Sequence, residues 1–79
     1  MEENRIFATI KRNVLELLPE INPDEISMEC SLSDLGCNSI DRAEVVTLTM
    51  EQLRINMPVH EFHRGDKIGQ IVALMRSYA

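Results

Sequence analysis

Apolar residues recur at helical spacing in the first part of the chain. On a helical wheel, six of them share one arc of about 120°, and polar side chains occupy the opposite side. These six are Ile6, Phe7, Ile10, Val14, Leu17 and Leu18. The pattern predicts an amphipathic helix that begins near Glu3 or Asn4. It ends before Pro19, because proline has no backbone N–H to continue the helix.

A second helix is predicted over residues 39–54. Asn38 is a favourable N-cap, and Asp41 follows three residues later, as in a capping box. The helix has two apolar sides, of which one is expected to pack inward. The inward side comprises Val45, Val46, Thr49 and Leu53, and the other comprises Ile40, Ala43, Thr47 and Met50, flanked by Glu44 and Glu51. The outer side is typical of a docking face, since it is apolar and ringed by acids.

The last third of the chain predicts a short helix and a longer one. Residues 59–64 form the short helix, and Asp66 caps the final helix. The final helix has six apolar residues on one broad face: Ile68, Ile71, Val72, Leu74, Met75 and Tyr78. Residues 19–38 lack helical periodicity but carry evenly spread apolar side chains. We expect this long loop to pack over the core, with a turn at 33–36 that ends at Gly36.

Together these segments predict an all-α fold. No stretch alternates apolar and polar residues as a strand does, and no internal repeat is present. We expect a small antiparallel bundle of three main helices plus one short helix, with the long loop between the first and second helices. A chain of 79 residues supports one small domain over residues 1–79, without room for an enclosed active site.

Charge and composition narrow the possible partners. Thirteen acidic and eight basic residues give a net charge of −5, which argues against nucleic acid and favours basic protein surfaces. No apolar run reaches the roughly 18 residues of a membrane span. The acidic N-terminus lacks the basic-then-apolar order of a secretory signal, so we expect a complete, cytoplasmic chain. We also expect the protein to be a monomer.

Ser39 is the main candidate for chemistry. If Asn38 caps the helix, Ser39 is its first residue, and its hydroxyl is free to face the solvent. The backbone N–H groups and partial positive charge of a helix start would favour an anion there, such as a phosphate ester. An ordinary helix start with an incidental serine is the alternative. On physical grounds alone it is the more common case, because serine is frequent at such positions.

Residues 32–45 resemble the acyl carrier protein family. The family pattern is Leu-x-x-Leu-Gly-x-Asp-Ser-Leu-x-x-x-Glu-Leu. This chain matches it at Leu32, Leu35, Gly36, Ser39 and Glu44, with Ile40 and Val45 in place of leucines. The resemblance extends over the whole chain, in its length, acidic charge, long first loop, proline after the second helix and final amphipathic helix.

The resemblance implies a carrier rather than an enzyme. Ser39 would receive a 4'-phosphopantetheine arm from coenzyme A through a phosphopantetheinyl transferase, and Asn38 would cap the helix beside it. The arm would hold an acyl group as a thioester. Partners would be acyltransferase, ketosynthase or synthase-type enzymes of a polyketide or fatty acid pathway. They would recognise the outer side of the second helix: Ile40, Asp41, Ala43, Glu44, Thr47, Met50 and Glu51.

Two residues depart from the family pattern. Asn38 replaces an acid, and Arg42 adds a positive charge to the first turn of the helix. The run 38–44 is similar to freestanding polyketide carriers, and in particular to those that supply an acetyl or malonyl donor to a hydroxymethylglutaryl-CoA-synthase-like enzyme for β-branching. The alternative function is a non-catalytic adaptor or inhibitor, which would bind through the same helix face without a prosthetic group.

The remaining candidates are histidines and cysteines. His60 and His63 are three residues apart, but no third metal ligand lies at a useful spacing, so we expect no metal site. Cys37 is expected to be exposed near the helix start, where the helix dipole would lower its pKa and make it a mild nucleophile. Cys30 is expected to pack beneath the long loop, and both cysteines to be reduced thiols.

Overall fold

The computed structural model describes residues 1–63 and 65–79, without the side chain of Val59. Three α-helices dominate the described residues: α1 (Glu3–Leu17), α2 (Ser39–Leu53) and α3 (Ile68–Tyr78). Short 3-10 helices occupy Pro23–Glu25 and Val59–Glu61. The all-α bundle with a long loop after its first helix is confirmed. The predicted short helix over 59–64 is present only as far as Glu61, and Arg64 lies outside the described residues.

The boundaries of α1 and α2 follow the local signals in the sequence. The α1 helix ends two residues before Pro19, with the Leu18 N–H donating to the Val14 carbonyl at 2.8 Å. The α2 helix begins at a complete capping box and ends at Leu53, one residue before the predicted end, because the C-cap Arg54 takes up a left-handed conformation with φ of 56°. The predicted first residue of α2, Ser39, is confirmed.

The start of α3 differs from the prediction. Lys67, not Asp66, is the N-cap, and its N–H donates to the Gln70 side-chain oxygen at 2.7 Å. Asp66 instead accepts the His63 N–H at 2.9 Å. This difference arises from residues distant in sequence, because hydrogen bonds join the long loop to the start of α3. The Ile68 N–H donates to the Cys30 carbonyl at 2.8 Å and keeps the chain extended through Lys67.

The core lies between the three helices, and the long loop closes over it as predicted. The helices contribute Ile6, Ile10, Val14, Val45, Val46, Ile68, Ile71, Val72 and Met75, all buried. The loop adds Ile26, Leu32 and Cys37, and the segment after α2 adds Ile55 and Met57. Gly69 permits the close contact between loop and α3, since a Cβ there would lie 3.0 Å from the Met28 carbonyl oxygen.

A buried polar contact joins α1 to α2. The Asn13 amide donates to the Thr49 hydroxyl at 2.9 Å, and that hydroxyl donates to the Val45 carbonyl at 2.7 Å. The Asn13 amide also donates to the Gln52 side-chain oxygen at 3.0 Å. The side-chain oxygen of Asn13 is buried without a hydrogen-bond partner among the described residues, so these bonds satisfy only the nitrogen of its amide.

Candidate functional site at the start of α2

Ser39 is an exposed side chain at the first position of α2. Its neighbours complete the capping box without it: the Asp41 N–H donates to the Asn38 side chain, and the Asn38 N–H donates to the Asp41 carboxylate. Among the described residues, the Ser39 hydroxyl has no hydrogen-bond partner. The geometry therefore presents an unengaged hydroxyl at the positive end of a helix, as the sequence predicted.

A tight turn brings the chain into α2. The Ser31 N–H donates to the Asp34 carboxylate, and the Asp34 N–H donates to the Ser31 hydroxyl, each at 3.0 Å. Hydrogen bonds from Ser31 hold the pKa of the Asp34 carboxyl below its ordinary value. The turn ends at Gly36, whose φ of 98° is a conformation that glycine adopts readily. The Cys37 N–H then donates to the Leu32 carbonyl at 3.1 Å. These bonds connect the loop firmly to the start of α2.

The expectation that Cys37 is exposed and reactive is wrong. Only 5% of Cys37 is accessible to solvent, and it belongs to the core. Burial raises the pKa of its thiol, the Asp41 carboxylate raises it further, and Arg42 has a smaller opposite effect. Because Cys37 is packed into the core, the helix dipole does not produce a nucleophile here. Cys30 is half-buried beneath the loop, as expected, and both thiols are free.

The two sides of α2 differ in burial as its sequence indicated. Val45, Val46 and Thr49 are buried. On the outer side, Ile40 is 76% exposed, and Ala43, Glu44, Thr47 and Glu51 are also exposed. Asp41 is half-buried within the capping box. Met50 is half-buried and packs against the core, which puts it at the margin of this outer side.

A cavity of about 200 Å³ opens beside Ser39. It lies between the starts of α2 and α3, the loop before α2 and the segment before α3. Its lining comprises Leu32, Ser39, Arg42, Ala43, Val46, Phe62, His63, Asp66 and Ile71. Spacing along the chain does not predict that His63 and Asp66 lie near Ser39, because only the packing of the segment before α3 brings them there.

The histidines do not form a metal centre with other described residues. His63 lines the cavity, whereas His60 is exposed and is not part of its lining. Within residues 1–63 and 65–79, no three side chains of histidine, cysteine, aspartate or glutamate are grouped so as to hold a metal ion. In the same residues, no helix has the length and apolar character needed to cross a bilayer.

Comparison with known proteins identifies the family of this chain. A family model described as a phosphopantetheine attachment site matches residues 8–75, a range that includes all of α2. The chain is 33% identical over 75 residues to the polyketide biosynthesis acyl-carrier-protein AcpK of Bacillus subtilis (strain 168). That match covers 95% of this chain and 92% of the relative. The chain belongs to the acyl carrier protein family.

Other relatives agree with this assignment. An acyl carrier protein of Wolinella succinogenes is 35% identical over 68 residues, covering 85% of this chain and 88% of the relative. An acyl carrier protein of Clostridium acetobutylicum is 30% identical over 74 residues, covering 92% of this chain and 95% of the relative. No solved structure matches the chain at a significant level. Acyl carrier proteins are non-catalytic carriers with a 4'-phosphopantetheine cofactor, so the chain is a carrier and not an enzyme.

The start of α2 fits this cofactor. A phosphopantetheine arm needs a serine hydroxyl that a transferase can reach, and the Ser39 hydroxyl is exposed and unengaged by any described residue. The capping box would keep the helix start formed during attachment, because it does not depend on Ser39. A phosphate at this position would also meet the favourable end of the helix dipole.

Proposed function

We propose that this acyl carrier protein holds its acyl group as a thioester on a 4'-phosphopantetheine arm attached to Ser39, within a single domain formed by residues 1–79. The observation that carries the proposal is the exposed, unengaged Ser39 hydroxyl at the first position of α2, inside the matched attachment-site family. Attachment joins the Ser39 oxygen to the pantetheine phosphate of coenzyme A, and the hydroxyl loses its proton as the nucleotide leaves.

The first turn of α2 would support the attached phosphate. Its backbone N–H groups and helix dipole favour an anion, while the bonds between Asn38 and Asp41 keep the helix from fraying at this end. Asn38 fulfils the capping role of the usual acid with no charge of its own. It therefore leaves one negative charge fewer beside the phosphate.

The experiment is attachment followed by localisation. The apo-protein is incubated with coenzyme A and a broad-range phosphopantetheinyl transferase, and the added mass is located by fragmentation of the intact chain. We expect one phosphopantetheine on the fragment that contains Ser39. An addition located elsewhere, or none with several transferases, would contradict the proposal.

We also propose that partner enzymes bind the exposed side of α2. The exposed Ile40 offers an apolar contact next to the attachment site, and Glu44 and Glu51 offer negative charge. Ala43 and Thr47 complete the surface between them, with Asp41 at its start and Met50 at its margin. The partners include a phosphopantetheinyl transferase and synthase-type enzymes with basic docking surfaces, such as acyltransferases and ketosynthases, and we place the exchange in the cytoplasm.

The pathway is proposed to be polyketide biosynthesis, with this carrier as the acetyl or malonyl donor for β-branching. Similarity to AcpK, a polyketide biosynthesis acyl-carrier-protein, supports the pathway. Asn38 and Arg42 support the specialised role, because both make the attachment site less acidic than the family pattern. The test presents acetyl-loaded protein to a hydroxymethylglutaryl-CoA-synthase-like enzyme together with a β-ketoacyl thioester acceptor, and measures transfer of the acetyl group from the carrier to that acceptor. An acetyl group that stays on the carrier would contradict the donor role.

A further inference from the structure

Arg42 lies where it can reach a group attached to Ser39. The two residues are three positions apart on α2, which places their Cβ atoms about 5–6 Å apart on the same side of the helix. Both side chains line the cavity at the start of α2. A phosphate on the Ser39 oxygen would therefore lie within the range of the Arg42 side chain.

The Arg42 side chain is already held near this position. It is half-buried, and its Nη1 donates to the Ser33 hydroxyl at 3.0 Å. Ser33 belongs to the turn at 32–36, which hydrogen bonds connect to the start of α2. This bond uses one of the five N–H donors of the guanidinium, and the others have no protein acceptor among the described residues.

No neighbouring acid among the described residues forms a salt bridge with Arg42. The Asp41 carboxylate accepts the Asn38 N–H, and the Asp66 carboxylate accepts the His63 N–H. No described carboxylate lies within salt-bridge distance of Arg42, whereas Arg76 pairs with Glu3 at 3.1 Å elsewhere in the molecule. Arg42 thus brings to the cavity a positive charge that is in no described ion pair, and Ser39 and Asp66 line the same cavity.

We propose that Arg42 is a positioning residue that binds the phosphodiester of the phosphopantetheine arm and restricts its motion at the start of α2. The inference rests on the proposed attachment of the arm to Ser39. A guanidinium pairs well with phosphate oxygens, because its parallel N–H donors match two of them at once. With the Ser33 bond holding the guanidinium, little side-chain freedom is lost when this contact forms.

The experiment compares the loaded wild type with Arg42→Gln and Arg42→Lys. Arg5→Gln is the matched control, because Arg5 is an exposed arginine on α1, away from the site. Phosphorus NMR relaxation measures the motion of the phosphodiester, and the Arg42 Nε–H signal is compared in apo- and loaded protein. We expect loading to shift the Arg42 signal, and Arg42→Gln to remove the restriction of the phosphorus nucleus. Arg42→Lys should keep part of it, and Arg5→Gln should leave it unchanged.

Each outcome bears on the inference. If Arg42→Gln is fully loaded and its phosphorus relaxation equals that of the wild type, Arg42 does not hold the arm, although attachment to Ser39 stands. If the wild type gains no mass, the proposed function fails and the inference fails with it. If Arg42→Gln does not fold, an Arg42 Nε–H signal that is the same in apo- and loaded wild type would overturn the inference by itself.

Discussion

Asn38 and Asp41 each accept a hydrogen bond from the other's backbone. The Asp41 N–H donates to the Asn38 side chain at 2.8 Å, and the Asn38 N–H donates to the Asp41 carboxylate at 3.2 Å. Ser39 lies between them in sequence and takes no part in either bond. The consequence is a division of roles at one helix end. Two residues form the helix start, and the residue between them is left exposed.

The first prediction concerns this cap. Replacing Asn38 with alanine removes the acceptor for the Asp41 N–H and should lower the free energy of unfolding by about 1 kcal/mol. Asn38→Asp is the matched control, since aspartate caps a helix as well as asparagine and should leave stability nearly unchanged. Urea denaturation followed by circular dichroism measures both. Equal stability of Asn38→Ala and the wild type would show that the capping box contributes little.

The second prediction concerns partner recognition. Glu44 is exposed on the outer side of α2, so Glu44→Lys should slow loading by a transferase with a basic docking surface while leaving the melting temperature nearly unchanged. Glu16→Lys makes the same charge change at an exposed position on α1 and is the control. The difference between the two variants should shrink at high salt, because exposed charges are screened. Equal loading rates for the two variants would contradict this docking surface.

The third prediction concerns the cysteines. Burial raises the pKa of the Cys37 thiol and shields it, so in the folded protein it should react with iodoacetamide far more slowly than Cys30. Because the thiolate is the reactive form, the alkylation rate of Cys37 should begin to rise only at a higher pH than the rate of a thiol with an ordinary pKa. Peptide mass spectrometry after timed alkylation gives both rates, and in denaturant they should become similar. Faster reaction at Cys37 in the folded protein would mean that its side chain is not buried.

The fourth prediction concerns the bond between α1 and α2. Asn13→Ala and Thr49→Val each remove one partner of the 2.9 Å contact, and the double variant removes both. A double-mutant cycle of unfolding free energies should give a coupling of about 0.5–3 kcal/mol. Each single variant should cost more than a surface substitution, because it removes a buried hydrogen bond between the two helices. Purely additive costs would show that the contact does not stabilise the pairing of the helices.

Local signals in the sequence predicted most of the fold. The periodicity before Pro19 located α1, and Asn38 with Asp41 located the start of α2 to the residue. These succeeded because caps and proline act over a few neighbouring residues. The predicted start of α3 was wrong by one residue. The observed start depends on hydrogen bonds to the Cys30 and Met28 carbonyls, about forty residues away in sequence.

The exposure of Ser39 at the first position of α2 was predictable from the sequence, but the residues that surround it were not. Helix position alone indicated that Ser39 is exposed. Cys37 is buried by tertiary packing, which spacing along the chain does not reveal. His63 enters the cavity lining only through tertiary packing. Asn13 was overlooked because a polar residue on a buried helix side makes sense only when its partner Thr49 is known.

The most direct test of the account is the intact mass of three apo-proteins treated with coenzyme A and a broad-range phosphopantetheinyl transferase. The wild type and Ser77→Ala, which removes another exposed serine, should each gain one phosphopantetheine, and Ser39→Ala should gain none. Circular dichroism should show that all three are folded. An unchanged wild-type mass with several transferases, or the same gain in folded Ser39→Ala, would contradict the claim that Ser39 carries the arm.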